Sequence, residues 1–235
     1  MDLGDPTKAI VPTLDGPVLA VLARTGRPLT AGEVAAQTRR GSEIGVRRVL
    51  ARLVEQGVLR SHQMGRNRVH ELNRDHIAAD VAIALSGFRT ELWRRMRETL
   101  RQWDPGPVYA CVFGSAARGN GDATSDIDVL VVHPSFPDEP TPKAEKWAAA
   151  VATLTLGAAS RPHPLLNRPP NRAHWNSQID KLYGQVFSWT GNRLQILDLS
   201  PFEWTSADGA ISSELRAEIA RDAIDLTPPR VVRTN

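Results

Sequence analysis

Two aspartates one residue apart, Asp126 and Asp128, stand at the head of an apolar run, Val129-Leu-Val-Val132. Side chains alternate along an extended strand, so both carboxylates fall on one face and Ile127 points to the other. Neighbouring carboxylates repel. A divalent cation removes that repulsion, and an all-oxygen ligand set suits Mg²⁺. Upstream, Gly114-Ser115 ends a first apolar run, Val108 to Phe113. A glycine lets backbone approach a ligand closely, and a helix opening just after it turns free N–H groups outward. With the Ser115 hydroxyl as a further donor, the turn suits phosphate oxygens. A phosphate cradle beside paired acids is equipment for metal-assisted phosphoryl or nucleotidyl transfer.

Between the two apolar strands come, in order, Gly114-Ser115, Ala117-Arg118-Gly119 and Ser125-Asp126-Ile127-Asp128. This stretch resembles the nucleotidyltransferase superfamily typified by DNA polymerase β, and within it the minimal nucleotidyltransferases. The resemblance implies Gly114 and Ser115 on a nucleoside triphosphate, with ATP expected, and Asp126 and Asp128 on Mg²⁺ in a two-metal site. Ser125 counts with the nucleotide-binding residues, and Arg118 either reaches phosphate or holds the loop. The superfamily also uses a third carboxylate, on a neighbouring strand, to help hold the second metal and activate the attacking hydroxyl. The candidate strand, Arg193 to Leu199, contains one acid, Asp198, which shares a face with Leu194 and Ile196. Asp198 is the expected third acid for catalysis and metal. The resembled family places that acid early in the strand, nearer Gln195; with Gln195 there, the domain would bind nucleotide with impaired or absent transfer.

The elements that position this site follow a basic amino-terminal third. From Arg24 to Arg74 there are eleven arginines against four glutamates, a local +7 in a chain of net +3. A helix is expected over Gly16–Ala23, and Thr30 with Glu33 forms a capping-box pattern for a second. Ser42 caps a third, in which Val46, Val49, Leu50 and Leu53 share a buried face. A hairpin follows, with its turn at Met64–Asn67. Three helices and a basic hairpin in this order resemble the winged helix-turn-helix of MarR-like regulators. The resemblance places Arg47, Arg48 and Arg52 of the third helix and Arg66 and Arg68 of the hairpin on double-stranded DNA. The alternative is a solvated basic face used for protein contacts.

The expected fold class is α+β: a winged helix-turn-helix over 1–75, a connector helix over 76–104 and a nucleotidyltransferase domain with a mixed, helix-flanked sheet over 105–235. Residues 1–13 read as a loose tail, and the connector's buried face as Ile77, Val81, Leu85, Phe88, Leu92 and Met96, with a break expected near Ser86-Gly87. Arg161 to Pro170 reads as a lid or a linker. The single Cys111 excludes an intrachain disulfide and suits a buried structural thiol. No apolar run approaches the ~20 residues of a spanning helix, and Met1 opens no signal-peptide pattern, so a cytoplasmic protein without membrane association is expected.

Two functions follow. One is a Mg²⁺-dependent transferase moving NMP to a hydroxyl on protein, RNA or a small molecule, and serving with its DNA-binding module as an antitoxin that modifies a partner toxin. The other is a transcription regulator whose degenerate nucleotidyltransferase domain senses nucleotide. Palindromic operator DNA would call for a homodimer. Aminoglycoside modification is disfavoured, because the downstream half lacks a dense acidic cluster.

Overall fold

Valine and leucine at helical and alternating spacing build two separate cores. The computed structural model describes residues 1–38, 40–152, 171–206 and 211–228, and the chain divides into two units, Met1–Glu91 and Leu92–Asn235. Helices and a mixed sheet make it an α+β protein.

The first unit contains helices α1 (Asp15–Arg24), α2 (Ala31–Thr38), α3 (Glu43–Glu55) and α4 (Ala79–Ser86), with strands β1 (Leu29–Thr30), β2 (Leu59–Met64) and β3 (Asn67–Leu72). The strands form an antiparallel sheet in the order β1-β3-β2. Local chemistry sets the helix starts. The Thr30 N–H and hydroxyl donate to Glu33 at 2.8 and 2.9 Å, and the Glu33 N–H returns a bond to Thr30 Oγ1 at 3.2 Å. Those bonds, with Arg27, hold the Glu33 carboxyl down at about 2. Ser42 Oγ accepts from the Gly45 N–H at 3.1 Å and caps α3, whose Val46, Leu50 and Leu53 are buried in the core.

Two expectations for this unit are corrected. Residues 1–13 are not a loose tail: Leu3 is fully buried, Pro6–Ala9 forms a 3₁₀ turn around buried Thr7, and Asp5 pairs with Arg40 at 2.9 Å. In the segment 76–104 the expected buried face is the other. The break expected near Ser86-Gly87 is present, separating α4 from α5 (Phe88–Arg101), and the division between units falls inside α5. The small residues Ala79 and Ala82, with Leu85, face inward and let α4 pack on α1, whereas Ile77 is 94% exposed and Val81 61%.

The second unit is a four-stranded sheet ordered β6-β5-β4-β7: β6 (Leu194–Leu199), β5 (Ile127–Val132), β4 (Tyr109–Phe113) and β7 (Ile224–Asp225). β4 is antiparallel to β5 and β7, and β5 is parallel to β6. Tyr109, Cys111, Leu130, Val132 and Leu199 share a core with Trp147 of α7 (Ala144–Ala152), Trp204 of α9 (Pro201–Thr205) and Ile219 of α10 (Ser213–Asp222). Residues of the other parity, Ala110, Val112, Val129 and Val131, are fully buried as well. Burial pushes the Cys111 thiol up to about 12, which fits an inert structural cysteine. Helix α8 (Arg172–Thr190) buries Trp175, Leu182 and Val186, and Trp175 meets Trp103 edge-on at 5.0 Å. The segment Arg161–Pro170 lies outside the described residues. No described helix is long and apolar enough to cross a membrane.

Ser42→Ala removes the one side-chain acceptor at the start of α3. It is expected to lower stability by about 1 kcal/mol, read from denaturant midpoints, with Ser42→Thr close to wild type.

Candidate functional site

Strand β4 ends at Phe113, which pairs with Asp128 of β5, so the turn after β4 and the second acid lie side by side. Gly114 opens the short helix α6 (Gly114–Arg118) with φ +69°, a conformation that costs an L side chain about 1–2 kcal/mol. It has a second reason to be glycine. A Cβ there would lie 2.5 Å from Asp128 Oδ2, closer than any real contact, so the carboxylate rests on the bare backbone of the turn. Ser115 follows in the same turn, and its carbonyl accepts from the N–H groups of Asn120 and Gly121 at 3.1 and 3.3 Å.

Asp128 is half-buried and Asp126, just ahead of β5, is exposed. The Asp128 carboxyl is raised above the usual carboxylate range, first by burial, then by the charge of Asp126, then by that of Glu218. Among the described residues neither carboxylate has a hydrogen-bond or ion-pair partner, while the carboxylates around Arg118 do. A like-charged pair of oxygen ligands without protein partners fits a divalent cation. No group of three or more His, Cys, Asp or Glu among the described residues is gathered for an ion.

The loop carrying Asp126 is fastened from both sides. Asp122 Oδ1 accepts from the N–H and hydroxyl groups of Thr124 and Ser125, and these bonds hold its carboxyl near 2. The Ser125 hydroxyl also accepts the Asp122 N–H at 3.0 Å. The hydroxyl of Ser125, expected on nucleotide, is engaged here in shaping the loop. Buried Asn192, which the sequence reading passed over, donates to the carbonyls of Ser125 at 3.0 Å and Ala123 at 3.5 Å.

Gly114, Ser115, Arg118 and Asp128 line one cleft of about 510 Å³, together with Gln195, Glu218 and an apolar wall that includes Phe113 and Leu215. Asp198 is absent from it. In the parallel register Asp128 pairs with Gln195 and Val131 with Asp198, so alternation sends Asp198 to the opposite face of the sheet. There its carboxylate accepts the Trp175 indole N–H at 2.9 Å. Asp198 is thus corrected as the third acid, and Gln195 holds the position level with Asp128. Arg118 is engaged by Glu218 and, at 3.5 Å, by Asp222, both from α10. Those two acids were not singled out from the sequence. They sit about a hundred residues from the motif, on a helix that periodicity alone marks as solvated.

In the first unit Arg47, Arg66 and Arg68 converge on a cleft of about 710 Å³ formed by α3, the β2–β3 hairpin and the start of α2. Arg47 also pairs with Glu43 at 2.6 Å. His70 lines the same cleft, and burial, then the charge of Arg68, holds its imidazole below the usual range, so arginine supplies the positive charge. Arg48 is exposed on α3 but does not line the cleft. Arg52, one helical turn further, is paired with Asp15 of α1.

Gly114→Ala is expected to displace the Asp128 carboxylate and to lower stability by at least about 1–2 kcal/mol, the cost of a side chain in this backbone conformation, read from denaturant midpoints.

A family model described as "Nucleotidyltransferase domain" matches residues 93–167, which take in β4, α6 and β5 with both aspartates. No curated protein matches the chain. Among solved structures, human N-acetylserotonin methyltransferase in complex with SAM is similar at 13% identity and a TM-score of 0.26. That match covers 85% of this chain and 57% of the methyltransferase, and so loose a superposition carries no argument about fold or function. The strand–turn–strand over residues 93–167 is thus similar to a nucleotidyltransferase domain, over about a third of the chain.

Proposed function

We propose that the second unit transfers NMP from an NTP, with ATP expected, to a hydroxyl acceptor in a Mg²⁺-dependent reaction. The observation that carries this is the Asp128 carboxylate resting on the Gly114 turn, beside a second unpartnered aspartate. Asp126 and Asp128 would hold Mg²⁺, which when bound neutralises triphosphate charge. Gly114 brings backbone close to the phosphates, and Ser115 adds a hydroxyl on the same cleft wall. The acceptor oxygen then attacks the α-phosphorus in line with the departing pyrophosphate.

The first unit supplies the second half of the reading. Three helices followed by a basic hairpin support a winged helix-turn-helix, with Arg47, Arg66 and Arg68 on the phosphates of double-stranded DNA. An antitoxin that nucleotidylates a partner toxin and represses its own operon as a dimer would use both units. One observation favours a different reading: Gln195, rather than an acid, stands level with Asp128. In that reading nucleotide binding alone shifts the DNA-bound population. Pyrophosphate release from Mg²⁺–ATP separates transferase from sensor.

Because the Asp128 pKa is raised in the folded chain, the folded state holds that proton more tightly than the unfolded one. The stability linked to it is present below the ordinary aspartate pKa of about 4 and is lost as pH rises through the raised value. Asp128→Asn is therefore expected to raise the melting temperature of the metal-free protein at pH 7 and to abolish further stabilisation by Mg²⁺–nucleotide. Asp198→Asn should leave the ligand-induced shift intact. Differential scanning calorimetry reads all three.

For DNA, Arg66→Ala and Arg68→Ala should each reduce the salt dependence of binding by about one unit of log K against log salt. Arg52→Ala should leave that slope unchanged. Fluorescence anisotropy on a duplex from the chain's own upstream region gives the slopes.

A further inference from the structure

A hydroxyl that attacks phosphorus must shed its proton, and the transferase reading, on which this inference rests, leaves that proton without a destination. Asp126 and Asp128 are the metal's ligands. Gln195 carries an amide, which takes no proton at neutral pH. Asp198 is on the other face of the sheet, bonded to Trp175. Among the described residues that line the cleft, Glu218 is the one carboxylate besides Asp128.

Glu218 is also held in place. It projects from the middle of α10 and its side chain is 29% exposed. The Arg118 guanidinium of α6 bonds it directly and reaches Asp222, one turn further along the same helix, at 3.5 Å. Arg118 thereby fixes the Glu218 side chain at the cleft wall, beside the turn that opens α6. A base needs this combination of access to the cleft and a fixed direction.

We propose that Glu218 is the general base of the transfer, delivered by helix α10 in place of an acid on the sheet. The acceptor oxygen forms a bond to the α-phosphorus while its proton passes to the Glu218 carboxylate. The bond from the α-phosphorus to the bridging oxygen breaks, and its electron pair leaves with pyrophosphate. Glu218 then returns the proton to solvent. Arg118 acts through Glu218 and is a positioning residue.

The test uses the full chain with Mg²⁺–ATP and water as acceptor, so that no partner need be known; the products are AMP and pyrophosphate. Glu218→Gln should lower pyrophosphate release about a hundredfold. It should bind α,β-methylene-ATP as tightly as wild type, which also shows that it is folded. Glu218→Asp should recover part of the rate. Asp222→Asn, which loosens the same ion-pair group from outside the cleft lining, should stay within about twofold, as exposed pairs contribute little. Unchanged release by Glu218→Gln overturns the base and leaves the transferase standing. A wild-type chain that binds the analogue with Mg²⁺ yet releases no pyrophosphate overturns base and transferase together.

Discussion

The second unit of the molecule depends on a carboxylate lying against a backbone that has no side chain. Asp128 approaches Gly114 more closely than any Cβ would allow, and the same glycine adopts a backbone conformation that other residues resist. Pairing of Phe113 with Asp128 brings the two together, since it makes the end of one strand and the start of the next adjacent. Burial, and then the Asp126 charge close by, raises the Asp128 carboxyl above the usual range.

A sheet has two faces, and the division between them decides which acids can work together. Asp128 and Gln195 share the face that opens on the cleft, while Asp198 shares the face of Val129 and Val131. A carboxylate on the wrong face cannot reach the site by changing rotamer. It would have to pass through a layer of buried valine and isoleucine. Acids on a helix packed over the correct face have no such barrier, and α10 provides Glu218 and Asp222 there.

Much of this was legible in the chain and some was not, for identifiable reasons. Gly114, Ser115, Asp126 and Asp128 lie within fifteen residues, so alternation and turn chemistry place them without knowledge of the rest. The helix starts at Thr30 and Ser42 were equally local. Asp198 was misplaced because parity within β6 was known but its register against β5 was not, and register is a tertiary fact. Glu218, Asp222 and Asn192 act over separations of about seventy to a hundred residues, where no sequence period reports contact. The buried face of α4 was misread because alanines, rather than Ile77 and Val81, make the close packing. Five arginines near the third helix and hairpin looked equivalent as charges, yet Arg47 pairs with Glu43 within its own helix and Arg52 with an acid on α1.

Asn192 holds the acid-bearing loop by the carbonyls of Ala123 and Ser125, not by their side chains. The clamp is consequently indifferent to which amino acids fill those two places and strict about how many residues separate them from Asp126. A substitution at Ala123 leaves the clamp intact, but an inserted or deleted residue would carry the first aspartate away from the second.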